Sequence, residues 1–220
     1  MLVKDAKAIA NVTTGNAKMP GTTFAQDSFA CHVGSRLAKV EGSICHKCYA
    51  RRIQKMRPSV NQGYTRNLAN WRMYAEKGHS ETWVKACVFQ ILRQTKKLDQ
   101  PFHRWFDSGD LDSIEQLIAI SDVAKDTPEI SHWLPTREVA IVKEFLEWFG
   151  SFPDNLTVRV SSPMIDGPRL KAFPNTSGVH SKGCEPSDTH ICPAPTQGNN
   201  CGSCRACWDG GVTHVSYKRH

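Results

Sequence analysis

The chain has 220 residues, 40% of them apolar, enough to bury one substantial core. No run of eighteen apolar residues occurs, which excludes a transmembrane helix, and the opening MLVKDAKAIANVTTG is too poor in apolar residues for a secretory signal. The net charge of +7 is unevenly placed, with fifteen Lys or Arg against four acids over residues 36–104 and ten against fifteen over 105–220.

In chain order, residues 1–35 read as irregular apart from a strand at Thr22–Ala25, after the turn signal Met19-Pro20-Gly21. Pro58-Ser59 opens a helix that runs to about Lys77 and is stopped by Gly78. Ser80 is placed to cap the next helix, over 81–97, whose Trp83, Val84, Cys87, Val88 and Ile91 form an apolar stripe. Cys87 on that stripe reads as a small buried hydrophobe. The pattern then alternates. Phe102–Phe106 reads as a strand, followed by the turn Asp107-Ser108-Gly109-Asp110. Asp112 with Glu115 imitates a capping box at the start of a helix. Ile130–Leu134 is a second strand, leading through Pro135-Thr136-Arg137 into a helix that Gly150 ends. Leu156–Ser161 is a third strand. Trp105, Trp133 and Trp148 recur as core packing residues. Strand–helix–strand–helix–strand predicts neighbouring parallel strands with right-handed crossovers. Beyond Ser162 the composition shifts to Gly, Pro, Asn, Ser and Cys, too poor in apolar periodicity to form regular structure without help. The fold expected is α/β, a partial (β/α) barrel or open parallel sheet with an irregular Cys-rich C-terminal lobe. It forms one domain, 1–220, with an α/β core at 1–162 and the lobe at 163–220.

The nine cysteines carry the sharpest signal. With neither a membrane span nor a secretory signal, the expected setting is a reducing cytoplasm, where clustered cysteines bind metal or do redox chemistry rather than form disulfides. Cys201-Gly-Ser-Cys204-Arg-Ala-Cys207, preceded by Cys192-Pro193, puts three thiolates two residues apart. This run recurs around four-iron clusters with the last ligand supplied from elsewhere, and the small residues between let amides point at sulfur. Four-cysteine zinc sites use two separated C-x2-C pairs instead. The expectation is a [4Fe-4S] cluster on Cys192, Cys201, Cys204 and Cys207, with zinc or free thiols as the alternatives. Cys31, Cys45 and Cys48, with Cys184, form a second set. They read as half of a zinc site, as a second cluster with one iron open, or as ordinary thiols, and spacing alone does not decide whether the two sets share one centre.

Gly15-Asn16-Ala17-Lys18-Met19-Pro20-Gly21, Cys45-His-Lys-Cys-Tyr-Ala50, Asp107-Ser-Gly-Asp110, Pro135-Thr-Arg137, Cys192-Pro-Ala194 through Cys207-Trp208 and the closing Val215–His220 resemble the bacteriophage gene-product-88 family almost end to end. That resemblance implies a phage origin and a host-cytoplasm setting, and no particular reaction. A remoter likeness is to radical S-adenosylmethionine enzymes. These are (β/α) barrels with a cluster-binding cysteine loop after the first strand and a Gly-Gly-Glu-like motif ending the second. It implies S-adenosylmethionine as a cofactor, with Ser108, Gly109 and Asp110 at the second-strand motif and Arg159 and Ser161 in the fourth-strand segment. Two departures weigh against it. Those enzymes space their ligands C-x3-C-x2-C, whereas thirteen residues separate Cys31 from Cys45, and only about half a barrel fits.

Ligands gather at the carboxyl edge of parallel strands, which selects Asp107, Asp110 and Arg137 as catalytic candidates. Arg137 is suited either to hold an anionic ligand or to pair with an aspartate across the turn. For a partner, the basic segment 36–104 offers Arg51, Arg52, Lys55, Arg57, Arg66 and Arg72 among Tyr49, Tyr64, Trp71 and Tyr74. That is a surface for nucleic acid or a host protein, or simply solvated helix faces.

Overall fold

The computed structural model describes residues 1–14 and 18–219; Gly15, Asn16, Ala17 and His220 of the motifs above lie outside them. Among these residues eight strands make one open sheet in the order β1-β2-β3-β4-β5-β6-β8-β7. They are β1 (Val12–Thr13), β2 (Thr22–Phe24), β3 (Phe102–Arg104), β4 (Ser131–Thr136), β5 (Leu156–Ile165), β6 (Thr176–His180), β7 (His190–Ile191) and β8 (His214–Lys218). Every neighbouring pair is parallel except β1 with β2. The sheet does not close into a barrel.

Among the described residues seven α-helices accompany it: α1 (Val3–Ile9), α2 (His32–Leu37), α3 (Tyr49–Met56), α4 (Pro58–Glu76), α5 (Ser80–Leu98), α6 (Ile114–Lys125) and α7 (Val139–Phe149). Alternation along each strand sends one set of side chains toward the helices. Phe24, Leu134, Val158 and Val160 join Trp71, Trp83, Ile91, Leu117 and Ile120 in a single core. Its centre is aromatic: Trp83 packs edge-on to Phe24 at 5.6 Å and to Trp71 at 5.1 Å, and stacks on Trp105 at 5.9 Å. Cys87 is fully buried there, as its place on the α5 stripe requires.

Several local expectations are corrected. Residues 1–35 contain α1, β1 and α2. Ser80 is the first residue of α5, and the preceding His79 makes no side-chain cap. The capping pair of α6 is one residue later than expected: Ser113 accepts from the Gln116 amide at 3.3 Å while Gln116 Oε1 accepts from the Asp112 amide at 2.9 Å. Trp105 and Trp133 are buried, but Trp148 is 58% exposed. The Cys-rich segment is not wholly irregular, because β6, β7 and β8 extend the sheet.

The sheet face turned away from the helices is covered by that segment. Trp208 packs on Phe102 and Trp133 at 5.5 and 5.2 Å, and its indole donates to the His103 carbonyl at 2.9 Å. Thr157 Oγ1 donates to the Trp208 carbonyl at 2.8 Å. The early cysteine loop instead lies at the carboxyl ends of the strands, where Ile44 N donates to the Pro163 carbonyl and Ile165 N to the Gly42 carbonyl, each at 3.0 Å.

Candidate functional site: two cysteine groups at one sheet

Arg159 organises the late cysteines. It projects from β5 fully buried, and all five of its N–H groups meet main-chain carbonyls. Nε donates to Cys207 at 3.0 Å, one terminal nitrogen to Ala206 and Asp209 at 2.7 Å each, the other to Val212 at 2.8 Å and Thr176 at 3.5 Å. A guanidinium has no further donor, so Arg159 has none to offer S-adenosylmethionine; it clamps the 206–212 loop to the sheet. Ser161 is likewise engaged, its hydroxyl 2.9 Å from that of Ser177.

On that loop Cys207 Sγ lies 3.2 Å from the Tyr217 hydroxyl, and just before it Cys204 Sγ lies 3.3 Å from His190 Nε2. The Cys192 amide donates to the Ser216 carbonyl at 2.9 Å and the Cys201 amide to the Lys18 carbonyl at 2.8 Å, which seats both beside β8 and the β1–β2 connection. Burial pushes the Cys207 thiol up to about 12, against the hydrogen bond from Tyr217 and the cations Arg159 and Arg104. Cys192 and Cys201 are raised by burial too, and each feels the charge of Cys204. The four expected ligands therefore form one electrostatic group, ringed by Arg104, Arg159 and Arg205. Four thiolates gathered among arginines suit an anionic inorganic centre.

The early group is separate. Cys31 and Cys48 stand immediately before α2 and α3, and the Cys31 and Cys45 sulfurs both lie 3.7 Å from where a Cβ on Gly34 would sit. Burial raises the Cys31 thiol, with Asp110, Cys48 and Cys45 adding to the effect. Cys184 is exposed in a turn closed on the Ser181 carbonyl. Among the described residues, no three His, Cys, Asp or Glu side chains converge on a point suited to one ion.

Between the groups lie the strand ends. Asp110 is buried; Oδ1 accepts from Thr136 Oγ1 at 2.6 Å and from the Leu111 amide at 2.9 Å, and Oδ2 accepts from the Arg137 amide at 2.9 Å. Its carboxylate ties the turn after β3 to the end of β4. Gly109 adopts φ +87°, and a Cβ there would sit 2.8 Å from the Gln26 carbonyl oxygen, so the residue is glycine for close packing against the chain just after β2. Asp110 and Gly109 thus have structural work without a cofactor. Asp107 Oδ1, Ser108 Oγ, Arg104 Nε and Arg137 Nε are buried with no partner. Of the expected site residues, Asp107, Ser108 and Arg137 therefore each keep one polar atom unmet, while the Asp107 carboxyl is also hydrogen-bonded by Thr23 and the Ser108 amide. Arg104, Tyr217 and His190 are missed by motif reading. Arg104 alone had a signal, in its alternation with Phe102 along β3.

No helix is long and apolar enough to cross a membrane among the described residues. The gene product 88 family model matches residues 4–210. No curated protein matches the chain, and no solved structure does.

Proposed function

Starting from a chain that belongs to the gene product 88 family, we propose that it is a phage-encoded, cytoplasmic iron–sulfur protein whose cluster is held by Cys192, Cys201, Cys204 and Cys207. The observation that supports this reading is the Arg159 clamp on the 206–212 loop, which holds Cys207 where it feels the charge of Cys192 while Arg104, Arg159 and Arg205 face the late cysteines. A cluster supplies redox capacity or structural bracing; the chain's own part is to present thiols and to balance their charge. The test is iron, sulfide and zinc analysis of anaerobically purified wild type and Cys204→Ser. Iron with sulfide in wild type, strongly reduced in the variant, supports the reading; a colourless, metal-free, fully folded wild type refutes it. Radical chemistry with S-adenosylmethionine would use the early set, Cys31, Cys45 and Cys48. Cofactor cleavage by the reduced protein is its assay, and a reduced protein that neither binds nor cleaves it argues against that chemistry.

A second reading concerns a partner. Residues 36–75 carry nine basic residues against Glu41 alone. The same surface leaves Tyr49, Ile53 and Met56 exposed at 56, 38 and 72%, with Arg51 and Lys55 over the Phe29 ring. Cations among exposed aromatics suit single-stranded nucleic acid. Binding of a labelled oligonucleotide that weakens steeply with salt supports this interface, and no binding at low salt refutes it.

A further inference from the structure

Eight buried side-chain polar atoms lack a partner among the described residues, and four of them fall at the carboxyl ends of the adjacent strands β3 and β4. Three lie within five consecutive residues: Arg104 Nε, Asp107 Oδ1 and Ser108 Oγ. Buried polar groups normally find partners, because leaving one unmade costs about 1–3 kcal/mol. Here one atom each of a cation, a carboxylate and a hydroxyl, the hydroxyl on a residue 4% exposed, is unmet, although the carboxylate also takes hydrogen bonds from Thr23 and the Ser108 amide and the guanidinium donates to Met19 Sδ at 3.2 Å. Of the ion pairs among the described residues, none involves Arg104 or Asp107, so the two opposite charges face one neighbourhood without touching. Phe106 between them takes φ +52°, a left-handed conformation that a bulky side chain adopts only under constraint and that gathers at ligand sites. The rest of the wall is built. The Tyr49 hydroxyl donates to the Asp107 carbonyl at 2.7 Å, the Ser108 carbonyl accepts from the Gln26 amide at 3.0 Å, and the Arg104 guanidinium lies 4.7 Å from the Trp133 ring.

We propose that this strand-end site binds a small oxyanion that also carries a hydroxyl. Arg104 donates Nε–H to the anionic oxygen, Ser108 Oγ–H donates beside it, and Asp107 Oδ1 accepts from the ligand's own O–H. Phosphate, which keeps a proton at neutral pH, and a short 2-hydroxy acid both offer that combination. Sulfate offers the charge without the donor and would bring its oxygen against the Asp107 carboxylate. Arg104 also stands within the field of Cys201 and Cys207, whereas Asp107 and Ser108 belong to this site alone, so variants of those two separate it from the cluster.

Equilibrium dialysis of the full chain against inorganic phosphate, glycolate and sulfate tests this. Saturable binding of phosphate or glycolate at one per chain is expected, with sulfate at least about tenfold weaker. Whichever of the two binds identifies the ligand as phosphoryl or carboxylate. Arg104→Gln should lose binding, and the near-isosteric Asp107→Asn should keep the fold while collapsing the preference over sulfate to about one. Should Arg104→Gln fail to fold, Ser108→Ala and Asp107→Asn still decide. The proposal is overturned if neither phosphate nor glycolate saturates by roughly 10 mM, if sulfate binds equally well, or if Asp107→Asn leaves the discrimination intact. Iron content of the same variants reports the cluster separately.

Discussion

Replacing Arg159 with Met removes five hydrogen bonds, four of which fix the 206–212 loop and one of which reaches Thr176, while keeping an apolar stem of similar length. Each charge-assisted hydrogen bond is worth about 1.5–3 kcal/mol in isolation. The bonds share one guanidinium and do not add, and each buried carbonyl left unmet costs about 1–3 kcal/mol. The core on the helix side of the sheet contains none of these contacts, so the loss falls on the loop. Local opening of residues 204–212 should rise about a hundred- to a thousandfold, at roughly 1.4 kcal/mol per factor of ten. In metal-free protein this is read as faster amide exchange over the loop and faster modification of Cys207 by a thiol reagent. Cys87 is fully buried in the core and serves as the internal control. Arg159→Lys, with three donors for five, should fall between. If exchange over the loop and Cys207 reactivity both stay within about threefold of wild type, the clamp is not what holds the loop, and the argument built on it fails.

Acid should destabilise the protein before its carboxylates titrate. Burial holds His132 down to about 3 and His103 well below its usual range, so both stay neutral when folded and charge when unfolded. The stability they contribute is full above pH ~6.5 and is lost as pH falls toward 3, about 2 kcal/mol each by pH 5. Burial raises Asp107 and Asp110 and so works in the opposite direction. Urea melts from pH 7.5 to 5 should show the fall, and His132→Gln should remove about half of it; a flat profile refutes this reading. Gly109→Ala should cost about 2–4 kcal/mol through its left-handed backbone and its clash with Gln26. Gly63→Ala, inside α4 with nothing within 4 Å of the new carbon, should instead stabilise by about 0.5–1 kcal/mol. Thermal melts that shift both variants the same way would contradict this pairing. Removing the Tyr217 hydroxyl with Phe takes away a bond that lowers the Cys207 thiol, so alkylation of Cys207 at pH 9 should slow, and an unchanged rate would show the contact to be idle.

The central strands and long helices were legible because their burial is written in apolar periodicity. Pro58 and Gly78 bracket α4, Trp83 to Ile91 stripe α5, and β3, β4 and β5 lie close to where alternation puts them. The strands β6 and β8 were not legible because their buried faces are polar. Thr176 meets His214 at 2.7 Å and His180 meets Ser216 at 2.6 Å, and such pairing satisfies burial without leaving a hydrophobic trace. α1 and α2 are short and weakly patterned, and the tertiary contacts that hold them are with residues far along the chain. At the site, spacing alone grouped Cys201, Cys204 and Cys207. The roles of Arg159 and Asp110 needed contacts that join residues about fifty and twenty-six positions apart, which no local pattern encodes. Ser108 and Asp107 were chosen as strand-end residues, and the structure adds that their polar atoms are unmet.

β8 lies between β6 and β7, which has a consequence for synthesis. Residues 214–218 leave the ribosome after every cysteine of the late group, yet they supply Tyr217 against Cys207 and the Ser216 carbonyl that anchors Cys192. Until that strand slots in, β7 has no neighbour and two of the four thiols lack their wall. A nascent chain offered metal early would present loose thiols open to mismatched capture. If the late cysteines hold the proposed cluster, its loading should therefore wait for this stretch to emerge, and fusions that crowd it should yield protein that is folded at its helices and low in iron.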